Sequence, residues 1–418
     1  MVGSLRRFLR SLGPGLITGV ADDDPSGITT YSVAGARHGL ALLWTAWLSW
    51  PMIAVVQLIC ARIGMVTGRG LAAALRRKFP RPFVLGIAVL LLATNTLNIG
   101  ADLAGMGDAA NMVTGLPGLL WVIVFGFVIA AGVIELHYVA FVRVLKWLTL
   151  ALFAYVIDGL LVGHDWGRIV RTTFFPPLSM LHDRAIWTTV VAILGTTISP
   201  YLFFWQSSQE VEEERARGRN TVRKREHMTH FEFWLRKRDV GVGSFFSNLV
   251  MYFIILTTGL VLHEHGTTAI ETSRQAAEAL RPLAGSFAAA LYALGIIGTG
   301  MLAIPIMSGS AAYVMAETFG WREGVNERWR GARPFYAVLT ASIVVGIVLN
   351  IVGLSPIRSM LLAAIVNGLL APVVLVAILI VAADRDLMHK QPASRSEWLA
   401  VAVTTLIMTL AAVGMVVF

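Results

Sequence analysis

Charge is scarce in this chain. Of its 418 residues only 14% are Asp, Glu, Lys or Arg, whereas 56% are hydrophobic. Soluble domains carry about 25% charged and about 45–50% apolar residues. A water-soluble protein of this size is excluded, because too few charges remain to cover its surface. Cysteine is nearly absent too. Cys60 stands alone, so there is no intrachain disulfide and no paired-cysteine metal cluster. Catalytic signatures are missing: no glycine-rich phosphate loop with lysine, and no His-Glu-x-x-His. An enzyme is not expected, nor a cofactor. His263-Glu264-His265 reads as a solvated outer-loop segment. No cleavable signal is expected at the start, where Arg6, Arg7 and Arg10 lead through a glycine-rich segment into three aspartates.

Long apolar runs stand where the charge is missing, and about 20 such residues cross a bilayer. Eleven candidate spans follow: 12–36, 41–65, 83–106, 118–137, 141–162, 186–206, 241–262, 281–312, 335–353, 357–382 and 397–417. The expected fold is an all-α polytopic membrane protein, one transmembrane domain over residues 1–418. With the N-terminus inside, 27 of the 34 Lys and Arg fall on the inner side. Only Arg37, Arg168, Arg171, Arg184, Arg274, Arg281 and Arg358 fall outside. The positive-inside rule then places the N-terminus in the cytoplasm and the C-terminus outside. The formal charge of +9 is thereby a topology signal, and no nucleic-acid partner is expected. Residues 209–240 read as a solvated cytoplasmic loop with a helix continuing the sixth span, and 384–396 as a short loop. The lipid bilayer is the one obligatory partner, and a monomer is expected.

The first and sixth spans are the poorest, and their defects carry the chemistry. Ala21-Asp22-Asp23-Asp24-Pro25-Ser26-Gly27 puts three acids beside proline and glycine in the first. Ionisable groups inside a membrane are costly and point to function. Proline removes a backbone donor and glycine tolerates non-helical dihedrals, so the helix is expected to unwind mid-membrane. Carbonyls freed beside carboxylates make a site for a hard cation. The bland alternative is an interfacial loop with its acids in water. The sixth span holds Gly195-Thr196-Thr197-Ile198-Ser199-Pro200-Tyr201, which alone reads as a simple kink. Asp24-Pro25 and Ser199-Pro200 lie 175 residues and five spans apart. Matched interruptions in two halves are the sequence signature of a transporter site. They fit an inverted repeat of five plus five helices, about 12–162 and 186–382, with an eleventh helix at 397–417.

Other polar positions are weaker candidates. Asn95, Asn98, Asp102 and Asp108 follow near-helical spacing along the third span, as a water path or as helix-packing groups. Gln206, Gln209 and Glu210 follow the second break and are candidates for an inner vestibule. Asn367 and Pro372 suggest a third irregular helix, while Glu135, His137 and Asp158 read as interfacial. Gly295, Gly298 and Gly300 read as close-packing positions.

At its two breaks the sequence resembles the Nramp family of divalent-metal transporters. Gly13-Pro14-Gly15-Leu16, Asp24-Pro25 and Tyr31-Ser32-Val33-Ala34-Gly35-Ala36 match that family's first helix. Gly195 to Pro200 matches its sixth, and Asp102-Leu103-Ala104 its third. The resemblance implies a LeuT-like fold of two inverted five-helix repeats plus one helix, with helices 1 and 6 broken and access alternating about a midplane site. It implies Asp24 as the essential metal ligand, with Asp23 adding charge or touching the ion's water shell. Ser199 and the carbonyls of Ala21, Gly27 and Thr196 would serve bound water, and Asp22, Asp102, Gln209, Glu210 and Asn367 would line the pathway.

The departures from that family set a direction. Asp-Pro-Gly-Asn is here Asp24-Pro25-Ser26-Gly27, and Met-Pro-His is here Ser199-Pro200-Tyr201. The acid that follows Asp-Leu-Ala is Gly105. Losing a thioether disfavours soft transition metals, while oxygen ligands suit Mg2+, Ca2+ and Mn2+. A widened, acidic, sulfur-free cavity suits Mg2+, which keeps several waters. The sequence also resembles the prokaryotic branch linked to magnesium uptake, in Asp-Asp-Asp-Pro-Ser-Gly and Ser-Pro-Tyr-Leu-Phe-Phe-Trp-Gln. The expectation is uptake of hydrated Mg2+, with Mn2+ accepted, across a prokaryotic plasma membrane and without proton coupling. The metal is cargo, not cofactor. The alternatives are a proton-coupled Mn2+/Fe2+ symporter and an organic-substrate symporter on the same fold. The second needs room for an anionic group, which three acids at the break oppose.

Overall fold

A segment in lipid must satisfy its own backbone groups, so long apolar runs fold as helices. The computed structural model describes residues 22–135, 151–161, 165–176, 182–219, 221, 230–270, 272–353 and 355–417, and among them there is no strand. The helices run α1 (Pro25–His38), α2 (Trp44–Thr67), α3 (Leu71–Lys78), α4 (Arg81–Thr114), α5 (Gly118–Glu135), α6 (Phe153–Leu161) and α7 (Trp166–Phe174). The order continues α8 (Arg184–Thr197), α9 (Pro200–Ala216), α10 (His230–Thr258), α11 (Ala288–Phe319), α12 (Arg333–Ile351), α13 (Pro356–Ala383) and α14 (Arg395–Val417). Nine stretches among the described residues are long and apolar enough to span a membrane, with α8 and α9 forming one of them. The other two expected spans, 12–36 and 141–162, are represented by α1 and α6, and their residues 12–21, 141–150 and 162 lie outside the described residues.

Caps set the helix ends. Gly115 takes a left-handed φ of 73° and returns its N–H to Asn111, which stops α4 well beyond the expected 106. The expected span 281–312 sits instead at Ala288–Phe319, because short turns and a left-handed Gly285 occupy the segment before it. Pro372 does not interrupt α13, which runs unbroken from Pro356 to Ala383. A membrane helix flanked by neighbours absorbs one proline as a bend. The stretch 209–240 is largely helical where described, shared between the end of α9 and the start of α10.

Small residues bring the central helices together. A Cβ on Gly195 of α8 would lie 2.1 Å from the Ala364 carbonyl and 2.4 Å from the Gly368 nitrogen of α13, so only glycine permits this backbone contact. The long α4 packs along α11, α12 and α13, and α1 sits among α8, α10 and α13. The broken segments therefore lie at the centre of the bundle.

Two residues expected at the surface lie elsewhere. Asp158 is fully buried on α6. The His263 Nδ1 lies 2.8 Å from the Ala36 carbonyl, so this ring ties α10's end to α1 rather than facing water. Glu135 ends α5 exposed, whereas His137 lies outside the described residues.

Candidate functional site

Both breaks use one backbone device. Asp24 (φ −70°, ψ 167°) and Ser199 (φ −75°, ψ 131°) are extended residues before proline, and Pro25 and Pro200 open the helices that follow. A residue before proline is pushed out of helical geometry, and proline at the first helical position loses no needed hydrogen bond.

The side chains then diverge. Asp24 Oδ1 accepts from the Gly27 N–H (2.6 Å) and the Ser26 hydroxyl (2.8 Å), capping α1. Its Oδ2 accepts from the Tyr201 hydroxyl at 3.3 Å. Ser199 caps nothing in its own helix. Its hydroxyl donates to the Gly195 and Thr196 carbonyls, each at 2.7 Å, and so covers the end of α8. The expectation of a free Thr196 carbonyl is corrected accordingly. The Gly27 carbonyl is corrected too: Gly27 lies in the first turn of α1, where amides face the break and carbonyls point along the helix. Ala21, the third carbonyl expected, lies outside the described residues, as do Gly13 to Leu16.

Asp102 of α4 joins this group, its Oδ1 accepting from the Ser26 N–H at 3.1 Å. Asp22 Oδ2 and Asp23 Oδ1 share the Ser247 hydroxyl of α10, at 2.9 and 3.2 Å. Asp22, Asp23, Asp24 and Asp102 are thus all buried and held by hydroxyl and amide donors. Among the described residues none of the four has an ion-pairing base, and the charged groups felt by them are one another. Among the described residues Asp22 Oδ1, Asp102 Oδ2 and the Thr196 hydroxyl have no hydrogen-bond partner. Among the described residues no three acidic, histidine or cysteine side chains are grouped to hold a bare metal ion. The arrangement offers separate oxygens around a centre rather than a carboxylate cage.

The expected widening of the site is absent from this arrangement. A Cβ on Gly27 would sit 3.2 Å from Thr196 Oγ1 and 3.3 Å from both the Asp22 carbonyl and Asp24 Oδ1. Three oxygens from two helices therefore close around Gly27 and fill the vacated space. Gly105 is filled likewise: a Cβ there would meet Met360 Cε of α13 at 2.1 Å and Pro25 Cβ at 3.8 Å. Sulfur is closer to the break than expected. The Thr197 hydroxyl donates to Met251 Sδ at 3.8 Å, and Met106 packs on Gly300 beside Pro25.

Not every expected pathway residue joins the group. Glu210 accepts from Gln206 (2.7 Å) and pairs with Arg236 (2.7 Å), so its charge is spent on an ion pair. Gln209 and Glu210 do not line the large cavity near the C-terminal end of α9, whose α9 wall begins one residue on, at Val211. Asn367 is buried on α13, with an unpartnered Oδ1, next to the Gly368 that touches α8. Asn95 ties α4 to the Met307 carbonyl of α11 at 3.0 Å, as a packing group. Sequence reasoning missed Ser247 and Met360, which are ordinary residues of apolar helices. It noted Tyr201 only as a lost histidine.

Comparison with known proteins follows the same lines. The sequence profile of the Nramp family, described as natural resistance-associated macrophage protein-like, matches residues 15–418. The chain is 25% identical over 405 residues to the divalent metal cation transporter MntH of Deinococcus radiodurans, covering 94% of this chain and 86% of that protein. It is 26% identical over 350 residues to MntH of Brucella suis, covering 81% and 73%. The structure is similar to that of the Eremococcus coleocola manganese transporter in complex with an aromatic bis-isothiourea substituted compound. That match has a TM-score of 0.73 at 15% identity and covers 97% of this chain and 86% of the other. It is also similar to MhsT in complex with L-phenylalanine, with a TM-score of 0.58 at 14% identity, covering 95% and 98%.

Proposed function

We propose, starting from the fact that this chain belongs to the Nramp family, that it carries divalent metal cations across a membrane and prefers hydrated Mg2+, with Mn2+ accepted. One observation carries this reading: four buried carboxylates, Asp22, Asp23, Asp24 and Asp102, share the midplane breaks without a basic partner among the described residues. Buried charge needs a counter-charge, and here the cargo supplies it. The unpartnered oxygens of Asp22 and Asp102 and the Thr196 hydroxyl suit donors, which the water shell of a cation provides. Asp24 is the central ligand, Asp23 adds charge, and Ser199 orients the end of α8.

Oxygen donors around an ion that keeps its waters favour a hard cation. In the closed arrangement that shell has no room beside Gly27, so α1 must part from α8 and α9 to admit it. Two five-helix repeats, with the helix at 397–417 appended, rock about this site in a monomer with a cytoplasmic N-terminus. Tyr201 stands where the family resemblance places a histidine, and Met360 fills the space beside Gly105, where it places an acid. Neither a phenol nor a thioether exchanges protons near neutral pH, which supports transport without proton coupling. The membrane potential then drives uptake, at about 2.3 kcal/mol per charge per 100 mV.

The names of the relatives, divalent metal cation transporter and manganese transporter, support Mn2+ as the cargo, which belongs to a second reading, a proton-coupled symporter. Proteoliposomes loaded with a Mg2+-sensitive dye and a pH dye separate the two. Mg2+ uptake that is lost in Asp24→Asn, with no acidification, is the expected result. Mn2+ uptake with proton entry and no Mg2+ signal would establish the symporter instead.

A further inference from the structure

A second concave space lies away from the proposed metal site. It holds about 700 Å3 where the ends of α2, α9 and α11 meet α3 and the turn between α13 and α14. This is the face that the distribution of Lys and Arg assigns to the cytosol. Its walls carry Arg69, Arg76, Arg77, Arg215, Arg219 and His389. Basic residues on this face serve topology wherever they stand, but topology does not require them to line one concave space.

The acids in the same walls are already occupied. Glu214 is paired with Arg217 and Arg219. Glu317 accepts from the Ser208 hydroxyl (2.8 Å) and from the Ala73 N–H (3.0 Å) in the first turn of α3. Glu323 lies 3.9 Å from Arg215, at the limit of an ion pair. Burial, with the neighbouring Glu317 carboxylate adding to it and Arg215 opposing it, raises the Glu323 carboxyl above the usual carboxylate range. Five arginines against three carboxylates leave the walls net positive, with Arg219 shared between Glu214 and Glu232 and Arg76 donating to the Glu317 carbonyl. Guanidinium groups from several elements around one space are the arrangement that binds phosphate oxygens.

Two further features fit a ligand. Trp321 lines the cavity and stacks on Phe319 at 5.0 Å between ring centres, which presents an indole to a planar group. His389 and Lys390 are the non-glycine residues with left-handed φ, at 45° and 63°, among the described residues. Such backbone costs about 1–3 kcal/mol for each residue and gathers at functional sites. Backbone hydrogen bonds from His389 to the Asp386 carbonyl and from Lys390 to the Arg385 carbonyl hold it, and it sets His389 in the cavity wall.

We infer that this cavity binds a phosphate-bearing anion of the cytosol, of nucleoside-polyphosphate size. Pockets for small ligands span about 300–1,000 Å3, and the volume falls in that range. The occupant is a soluble anion rather than a lipid headgroup, because α3 crosses the end of the bundle and packs on α9, α11 and α13, which sets the cavity within the bundle's end instead of at its rim. A bound polyanion would join Arg76 and Arg77 of α3 to Arg215 of α9. Those elements belong to the two halves whose inner ends separate during transport. Occupancy therefore slows uptake.

The test uses the purified full chain in detergent with EDTA, so that no metal bridges the nucleotide to the acidic site. Labelled ATP is measured by equilibrium dialysis. Saturable one-site binding is expected, weakened at least tenfold in Arg77→Gln/Arg215→Gln and by added salt. It is unchanged in Arg330→Gln, a basic position on the same face outside the cavity. Pyrophosphate competes, and phosphatidylglycerol vesicles do not. ATP inside proteoliposomes then slows uptake by the wild type but not by the double variant. Absence of saturable binding, equal binding by the double variant when it elutes as a monodisperse folded protein, or competition by the vesicles alone would each overturn the proposal.

Discussion

The two helix breaks and the region where the C-terminal end of α9 meets the N-terminal end of α10 both bury carboxylates, and they neutralise them in opposite ways. Where α9 meets α10, each buried acid among the described residues meets arginine. Arg236, 8% exposed, holds Glu210 (2.7 Å), Glu213 (2.5 Å) and Asp239 (3.1 Å), while Arg219 holds Glu214 and Glu232. At the breaks, Asp22, Asp23, Asp24 and Asp102 meet serine, tyrosine and backbone amides. Paired acids hold helices together, whereas unpaired ones leave negative charge for something else to balance. Similar residues thus serve as scaffold in one region and form the proposed site in the other.

The comparison breaks most visibly at Asp24. Asp24→Asn keeps a helix-capping side chain but removes charge, so metal uptake should fall below detection while the protein still elutes as a folded species. Residual uptake above about a tenth of wild type would show that the unpaired charge is not what binds the ion. Arg236→Ala should do the reverse. It takes the arginine from the buried Glu210, while Glu213 keeps Arg217; a broken buried pair costs about 3–5 kcal/mol, and a lower melting temperature in detergent would report it. Adding Glu210→Met to Arg236→Met should recover much of that loss, because apolar replacement of a buried pair is often neutral.

Smaller effects sharpen the contrast. Gly105→Glu must displace Met360 from its seat against Gly105, an overpacking that costs about 1–3 kcal/mol. Coupling it with Met360→Ala should restore the melting temperature, and failure to do so would mean that another contact fills the slot. Ser247→Ala takes the hydroxyl from Asp22 and Asp23. A severalfold change in apparent metal affinity at unchanged maximal rate is expected, read from uptake across a concentration series.

Much of the fold was legible because bilayer physics writes it in long runs: the spans 41–65, 118–137 and 397–417 reappear as α2, α5 and α14 within a few residues. The breaks were legible for a different reason. Asp-Pro and Ser-Pro force extended backbone locally, whatever packs around them. What stayed hidden was set by distant partners. Ser247 lies 225 residues from Asp22, and nothing in its own helix marks it as a donor to an acid. Ser199 was read as open to bound water, yet its hydroxyl turns back onto α8, a choice between two local acceptors that spacing does not decide. Glu210 looked like a vestibule residue until Arg236, from another helix, took its charge.

The most direct test of the central claim is the Mg2+ accumulation reached by proteoliposomes clamped at a negative internal potential, with and without an imposed pH gradient. The account predicts that the potential alone sets accumulation, with about 4.6 kcal/mol available to a divalent ion per 100 mV, that reversing the pH gradient leaves it unchanged, and that Asp24→Asn abolishes it. Accumulation that follows the pH gradient, or that survives in Asp24→Asn, would contradict an uncoupled cation site built on unpaired midplane carboxylates.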